Sequence, residues 1–209
     1  MPTRQPAAAT RRASACPAGR TFAVLVLACL LALLTGCSPM KIEDFSDTNR
    51  KLSLEEYFTG TTRAWGIFQD RQGRPIRQFR VRIEGHVEDD TLVLDEHFDY
   101  ADGEQDRRIW RLERVAPDRY VGRADDVVGT AEGVVRGQAF NFRYVLNVPW
   151  KDTTIRLNFD DWMFLQPDGV MINRATVRKF GFRVGEVILF FDQDNRDDRQ
   201  QSAQTPNLP

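Results

Sequence analysis

Eight side chains in the 209-residue sequence join chemical capacity to apolar surroundings: Glu96, Arg108, Trp110, Tyr120, Asp126, Asp161, Asn173 and Lys179. In an extended chain alternate residues share a face. Within Leu92-Val-Leu-Asp-Glu-His-Phe-Asp-Tyr100 the apolar face carries Leu92, Leu94, Phe98 and Tyr100, and Glu96 sits among them. Arg108 shares a face with Trp110 and Leu112. The same alternation groups Asp126 with Tyr120, Gly122 and Ala124, and Asp161 with Ile155, Leu157, Phe159 and Met163. Lys179 falls in line with Asn173, Ala175 and Val177. Three acids and two bases therefore face inward, and a buried charge requires a partner. If the Asp102-Gly103 turn closes a hairpin, Arg108 falls near Phe98 and diagonal to Glu96, and the two are expected to pair. Three uses compete for the set. It can be core ion pairs that set strand register, or polar groups that orient an amphipathic ligand between aromatic walls. The third is a carboxylate, Asp126 or Asp161, working as acid or base, and catalysis is the least favoured of the three.

Other reactive patterns are missing from the sequence. His97 alternates with Asp95 and Asp99 on the outer face, and His86 stands beside a turn, so no metal site is expected. No Gly-x-Ser-x-Gly, phosphate loop or zinc spacing occurs, and no cofactor is expected. Cysteine is the exception. Leu34-Thr35-Gly36-Cys37 resembles the bacterial lipobox, where small residues precede a thiol that accepts diacylglycerol. Upstream stand Arg4, Arg11, Arg12 and Arg20 with no acid, then an apolar run over 21–34. Basic flank plus short apolar run is the layout of a secretory signal, and the run falls short of the roughly 20 residues that span a bilayer. Residues 1–36 are thus expected to be removed, leaving Cys37 as an N-terminus bearing acyl chains such as palmitate, firm enough to hold the protein at a membrane. Ser38 is not the aspartate that typically keeps lipoproteins in the inner membrane, which favours the outer membrane, facing the periplasm.

The segment so removed also takes Cys16 and Cys29, so no disulfide or thiol nucleophile remains. It leaves 25 basic against 30 acidic residues, a formal charge of −5 that argues against nucleic acid as a partner.

Strands must position the inward set. Asp70 to Gly73, Glu88 to Asp90, Asp102-Gly103, Ala116 to Asp118, Pro149 to Asp152 and Pro167 to Gly169 read as turns. Between them runs of Val, Ile, Phe, Tyr and Arg predict strands at 62–70, 75–87, 91–101, 105–115, 119–126, 129–136, 138–148, 154–165, 170–180 and 182–192. Short turns make neighbours antiparallel. The expected fold is all-β: an antiparallel up-and-down barrel of about 8–10 strands, whose closure removes exposed edges. Ser53-Leu-Glu-Glu56 fits a capping box and predicts a short helical turn through Phe58. The organisation expected is a signal over 1–36, a lipidated tether over 37–52, a barrel domain over 53–192 and a disordered tail over 193–209. A membrane-spanning barrel would need uniformly apolar outward residues, whereas Gln78, Arg80, Arg82 and Glu84 share one face.

Several stretches together resemble the bacterial lipoprotein family called domain of unknown function 3833. They are Asp99 to Glu104, Arg108-Ile-Trp110, Gly122 to Gly133, Phe159-Asp-Asp-Trp-Met163, Asn173-Arg-Ala175, Lys179-Phe-Gly181 and Val184-Gly-Glu186. The resemblance runs over residues 52–192 and implies Gram-negative envelope lipoproteins without an assigned activity. The architecture is also similar to lipocalins, which carry Gly-x-Trp on the first strand; here Gly60 and Trp65 stand five apart, so the likeness is calycin-like only. The leading expectation is a barrel that binds a lipid or other small amphipathic ligand. The alternative is an assembly factor that binds an envelope protein through its outer surface, and the third is a carboxylate-dependent enzyme.

Overall fold

Ten antiparallel strands close into a barrel in the computed structural model, which describes residues 39–193. The signal segment, Cys37 and the tail beyond Gln193 lie outside the described residues. The strands are β1 (Gly60–Asp70), β2 (Pro75–Glu88), β3 (Thr91–Tyr100), β4 (Gln105–Ala116), β5 (Arg119–Arg123), β6 (Ala131–Arg136), β7 (Ala139–Trp150), β8 (Thr153–Leu165), β9 (Met171–Lys179) and β10 (Phe182–Gln193). Each pairs with its neighbours in sequence, and β1 pairs with β10 to complete the ring. This is the up-and-down order expected from the turn spacing.

Strand alternation divides the wall into a charged outside and an apolar inside. On β2, Val81 and Ile83 are buried while Arg80 and Arg82 are exposed. A membrane-spanning barrel has the reverse arrangement. The core gathers around Ile83, Leu92, Leu94, Trp110, Phe140, Phe142 and Phe191.

The barrel's two ends differ. One is plugged by a single helical turn, α1 (Leu54–Phe58), whose cap is the expected one: Ser53 Oγ accepts from the Glu56 amide at 3.3 Å. Leu54, Tyr57 and Phe58 are buried across this opening. Gly85 makes the plug possible, because a Cβ there would lie 1.8 Å from the Phe58 carbonyl oxygen. The opposite end is formed by the β1–β2, β3–β4, β7–β8 and β9–β10 hairpin tips, and among the described residues no helix plugs it.

The segment expected to be a tether is in part attached to the barrel. A 3₁₀ turn (Ile42–Phe45) packs Phe45 against Trp162 and Phe164, with ring centroids 6.1 and 5.4 Å apart, and the Leu52 amide donates to the Gly137 carbonyl at 2.7 Å. Outward aromatic rings on β8 gave these residues an apolar surface to cover. A second difference concerns β5, expected to run to 126. It ends at Arg123, and Asp126 lies in the connection to β6. That connection folds across β7, where Val127 bridges Leu146 and the Asn147 amide donates to the Asp126 carbonyl at 2.8 Å.

Candidate functional site

The barrel is hollow. A cavity of about 630 Å³ opens between the hairpin tips and runs down to α1. Its walls are aromatic and aliphatic, with Phe68, Phe79, Phe98, Tyr100, Phe159 and Leu189 among them. Most of the expected polar residues reach it: Glu96, Arg108, Trp110, Asp161, Asn173 and Lys179 all line this space.

Two polar groups face each other across it. On one wall Arg108 stands directly opposite Glu96 in the β3–β4 ladder, not diagonal to it, because the hairpin register places Phe98 against Asp106. The Arg108–Glu96 contact is 3.9 Å, so the two do pair. The closer partner is Asp126: Arg108 Nε donates to Oδ1 at 3.1 Å and Nη2 to Oδ2 at 2.7 Å. The guanidinium also lies over the rings of Phe98 and Trp110, 5.6 and 6.0 Å from their centroids. On the other wall Asp161 accepts from the Tyr144 hydroxyl at 3.2 Å and from the Asn173 amide nitrogen. Asn141 donates to the Asp161 carbonyl at 3.0 Å, which fixes β7 against β8 at this level. The other amide atom of Asn173, Oδ1, is buried with no hydrogen-bond partner.

These surroundings alter the acids. Burial pushes Glu96 up to about 7; the charges of Asp126 and Asp161 add to the rise and Arg108 opposes it. Burial likewise raises Asp161 to about 7, against the hydrogen bonds from Asn173 and Tyr144. Burial, then the charge of Asp161, raises Tyr144 well above the ordinary phenol value. Burial disfavours the Arg108 cation, but Glu96 and Asp126 outweigh it and hold its pKa above the usual guanidinium value. Near neutral pH, then, two interior carboxyls can each hold or release a proton, and each can serve as donor or acceptor to a guest.

Two expected residues stand elsewhere. Tyr120 is buried but does not line the cavity. Its hydroxyl is taken up by Arg114 at 2.7 Å and by Glu55 of α1 at 3.1 Å, so it fastens the plug. Burial and the nearby Glu55 raise it to about 12. Asp126 lies outside the lining and reaches the cavity through its bond to Arg108 and its charge beside Glu96. Sequence reasoning missed Tyr144, although it continues the Phe140 and Phe142 alternation on β7 and stacks on Phe159, 5.0 Å between centroids. It also missed Arg77, which lies 3.4 Å over the Tyr100 ring at the cavity mouth. Lys179 takes a place near that mouth, its ammonium 5.4 Å from the Phe180 ring.

The profile of the family described as Protein of unknown function (DUF3833) matches residues 31–193, as the motifs from Asp99 to Glu186 implied. The chain belongs to this family. No curated protein matches. Among solved structures the chain is similar to the S-type phycobiliprotein lyase CPES from Guillardia theta, at 9% identity over 73% of this chain and 96% of that one, with a TM-score of 0.48.

Proposed function

We propose that this family member is an outer-membrane lipoprotein, held on the periplasmic side by acyl chains on Cys37, that binds a lipid or other small amphipathic molecule inside its barrel. The observation that carries the binding is the cavity itself, about 630 Å³ of largely apolar space with polar groups at two depths. A volume of this size is in the range of small-molecule sites. Ala175 stands opposite Asp161 in the β8–β9 ladder. It is four residues from Lys179, or ~13 Å along the strand. A guest with polar groups at both ends of an apolar stem would meet Lys179 near the mouth and Glu96 or Asp161 at depth. The unpartnered Oδ1 of Asn173 offers one more acceptor there.

Native mass spectrometry of the protein purified without its acyl chains tests this, together with titration by a dansyl-labelled fatty acid. A co-purified amphiphile or saturable probe binding is expected, and Val187→Phe, which projects a ring into the cavity, should abolish it with the fold intact. Protein that takes up no probe, or probe binding indifferent to Val187→Phe, would sink the reading.

A second reading has its own observation. On the outer wall Trp65 is paired with Phe190, and Phe190 with Ile172, forming an apolar row that is partly open to solvent. An assembly factor would use such a row to bind another envelope protein. Crosslinking from position 65 in cells distinguishes the two, since a ligand carrier needs no protein captured there.

A further inference from the structure

The mouth of the barrel is not uniform. Going round the ring, the β1–β2, β9–β10 and β7–β8 hairpins are consecutive, and their tips make one continuous arc. This arc carries the most exposed large apolar side chains of the described residues: Phe180 at 85%, Phe182 at 78%, Ile76 at 59% and Trp150 at 57%. It also carries Arg71, Arg74, Lys151, Lys179 and Arg183 against Asp70, Asp152 and Glu186, with Arg74 paired to Asp70 and Arg183 to Glu186. The facing arc, formed by the β3–β4 tip and the β5–β6 connection, presents Asp102, Glu104, Asp125 and Asp126.

The β9–β10 tip is locally costly. Lys179 pairs with Phe182, leaving a two-residue turn of Phe180 and Gly181 with φ of 52° and 83°. Turns with two positive φ values favour Asn, Asp or Gly at the first position, and a bulky aromatic residue is disfavoured there. The β2–β3 turn meets the same demand with Asp89 and Asp90. Among the described residues the Phe180 ring is left 85% exposed beside the Lys179 ammonium, so neither burial nor turn geometry accounts for a phenylalanine here.

We propose that this arc of the mouth docks onto an anionic lipid bilayer, with Phe180, Phe182, Trp150 and Ile76 in the interfacial layer and the flanking lysines and arginines at the headgroups. Aromatic side chains on separate hairpin tips suit a deformable surface better than a flat protein face, and interfacial binding combines buried apolar area with attraction to anionic lipid. Ile76 and Trp150 also line the cavity, so docking brings its opening against the lipid. The N-terminal segment joins the barrel at the other end.

Flotation with vesicles of phosphatidylethanolamine containing about one-third phosphatidylglycerol tests the docking. The protein is residues 41–209, without acyl chains, which form a compact unit. The unmodified sequence should float, and float less with neutral phosphatidylcholine vesicles. The double variant Phe180→Asn, Phe182→Ser should partition at least about tenfold more weakly, and Phe180→Asn suits the left-handed turn, so folding is retained. Ile76→Ser, away from that turn, should weaken flotation as well. Trp65→Ser with Phe190→Ser, on the outer wall, should float unchanged. Docking is overturned if the unmodified barrel does not float, if the double variant floats equally well, or if the wall variant alone loses binding. Binding of the dansyl-labelled fatty acid by the same samples separates this outcome from failure of the cavity reading.

Discussion

Arg108 on β4 and Asp126 in the β5–β6 connection close the barrel wall where its strands are too short to do so. The β4–β5 ladder stops at Arg111 and Arg123, and the β6–β7 ladder at Glu132 and Arg143. Beyond those pairs, toward the mouth, no strand lies between β4 and β7. Asp126 spans the gap: its carboxylate takes Arg108 and its main-chain carbonyl takes the Asn147 amide on β7. A side-chain ion pair thus replaces missing ladder bonds.

Replacing Asp126 with Ala should therefore loosen one side of the cavity. It leaves Arg108 with Glu96 alone at 3.9 Å, and should cost roughly 1–3 kcal/mol. Urea unfolding measures the cost, and stopped-flow release of the dansyl-labelled fatty acid should quicken several-fold. Unaltered release would mean that the connection does not border a route to the cavity.

The buried acids make stability depend on pH in an unusual sense. Asp161 is raised from 3.8 to about 7, so between those values the folded protein holds a proton that the unfolded chain has released. Its favourable contribution is complete below the unfolded value and is lost as pH rises through 7. Asp161→Asn removes that loss. Relative to the unmodified protein it should gain roughly 2–4 kcal/mol more at about pH 8 than at about pH 4. Urea midpoints at the two pH values check this, and a difference independent of pH would show that Asp161 titrates as an ordinary carboxyl.

Gly85→Ala attacks the plug. The added methyl would overlap the Phe58 carbonyl, and α1 must lift away from β2. A loss of roughly 1–3 kcal/mol is expected from such overpacking, with faster proteolysis confined to residues before Gly60. Cleavage that stays as slow as in the unmodified protein would show that α1 can shift without leaving the opening.

Cys37→Ser tests the anchor. Intact mass spectrometry of protein from bacterial membranes should find a mature chain that starts at Cys37 and carries acyl chains, and a serine variant that carries none. Recovery of an unacylated chain with Cys37 intact would refute the lipobox reading.

Much of the site was legible before the fold was known because inward position depends on parity alone. Glu96, Arg108, Asp161, Asn173 and Lys179 each share a face with apolar neighbours one and two steps away, and all five line the cavity. Tyr120 obeys the same parity yet misses the cavity, because depth along the barrel axis is set by strand stagger rather than by alternation. Asp126 was legible as a charge near Ala124, but its strand ends three residues earlier, and only the folded connection directs it to Arg108. The Arg108–Glu96 pairing was expected one step off register, since a hairpin's alignment follows from turn geometry that Asp102-Gly103 alone does not specify.

By itself the sequence determined the ten strands, their antiparallel order, the helical cap at Ser53, the family and the candidate lipid-bearing Cys37. Each rests on neighbours a few residues apart: alternation, turn residues, a capping side chain or a short motif. Only the tertiary structure decided that the barrel is hollow, that one end is plugged by α1, that Arg108 belongs chiefly to Asp126, and that the aromatic tips form one arc. Those properties depend on how strands far apart in sequence close into a ring, and on whether the side chains they turn inward fill the space it encloses.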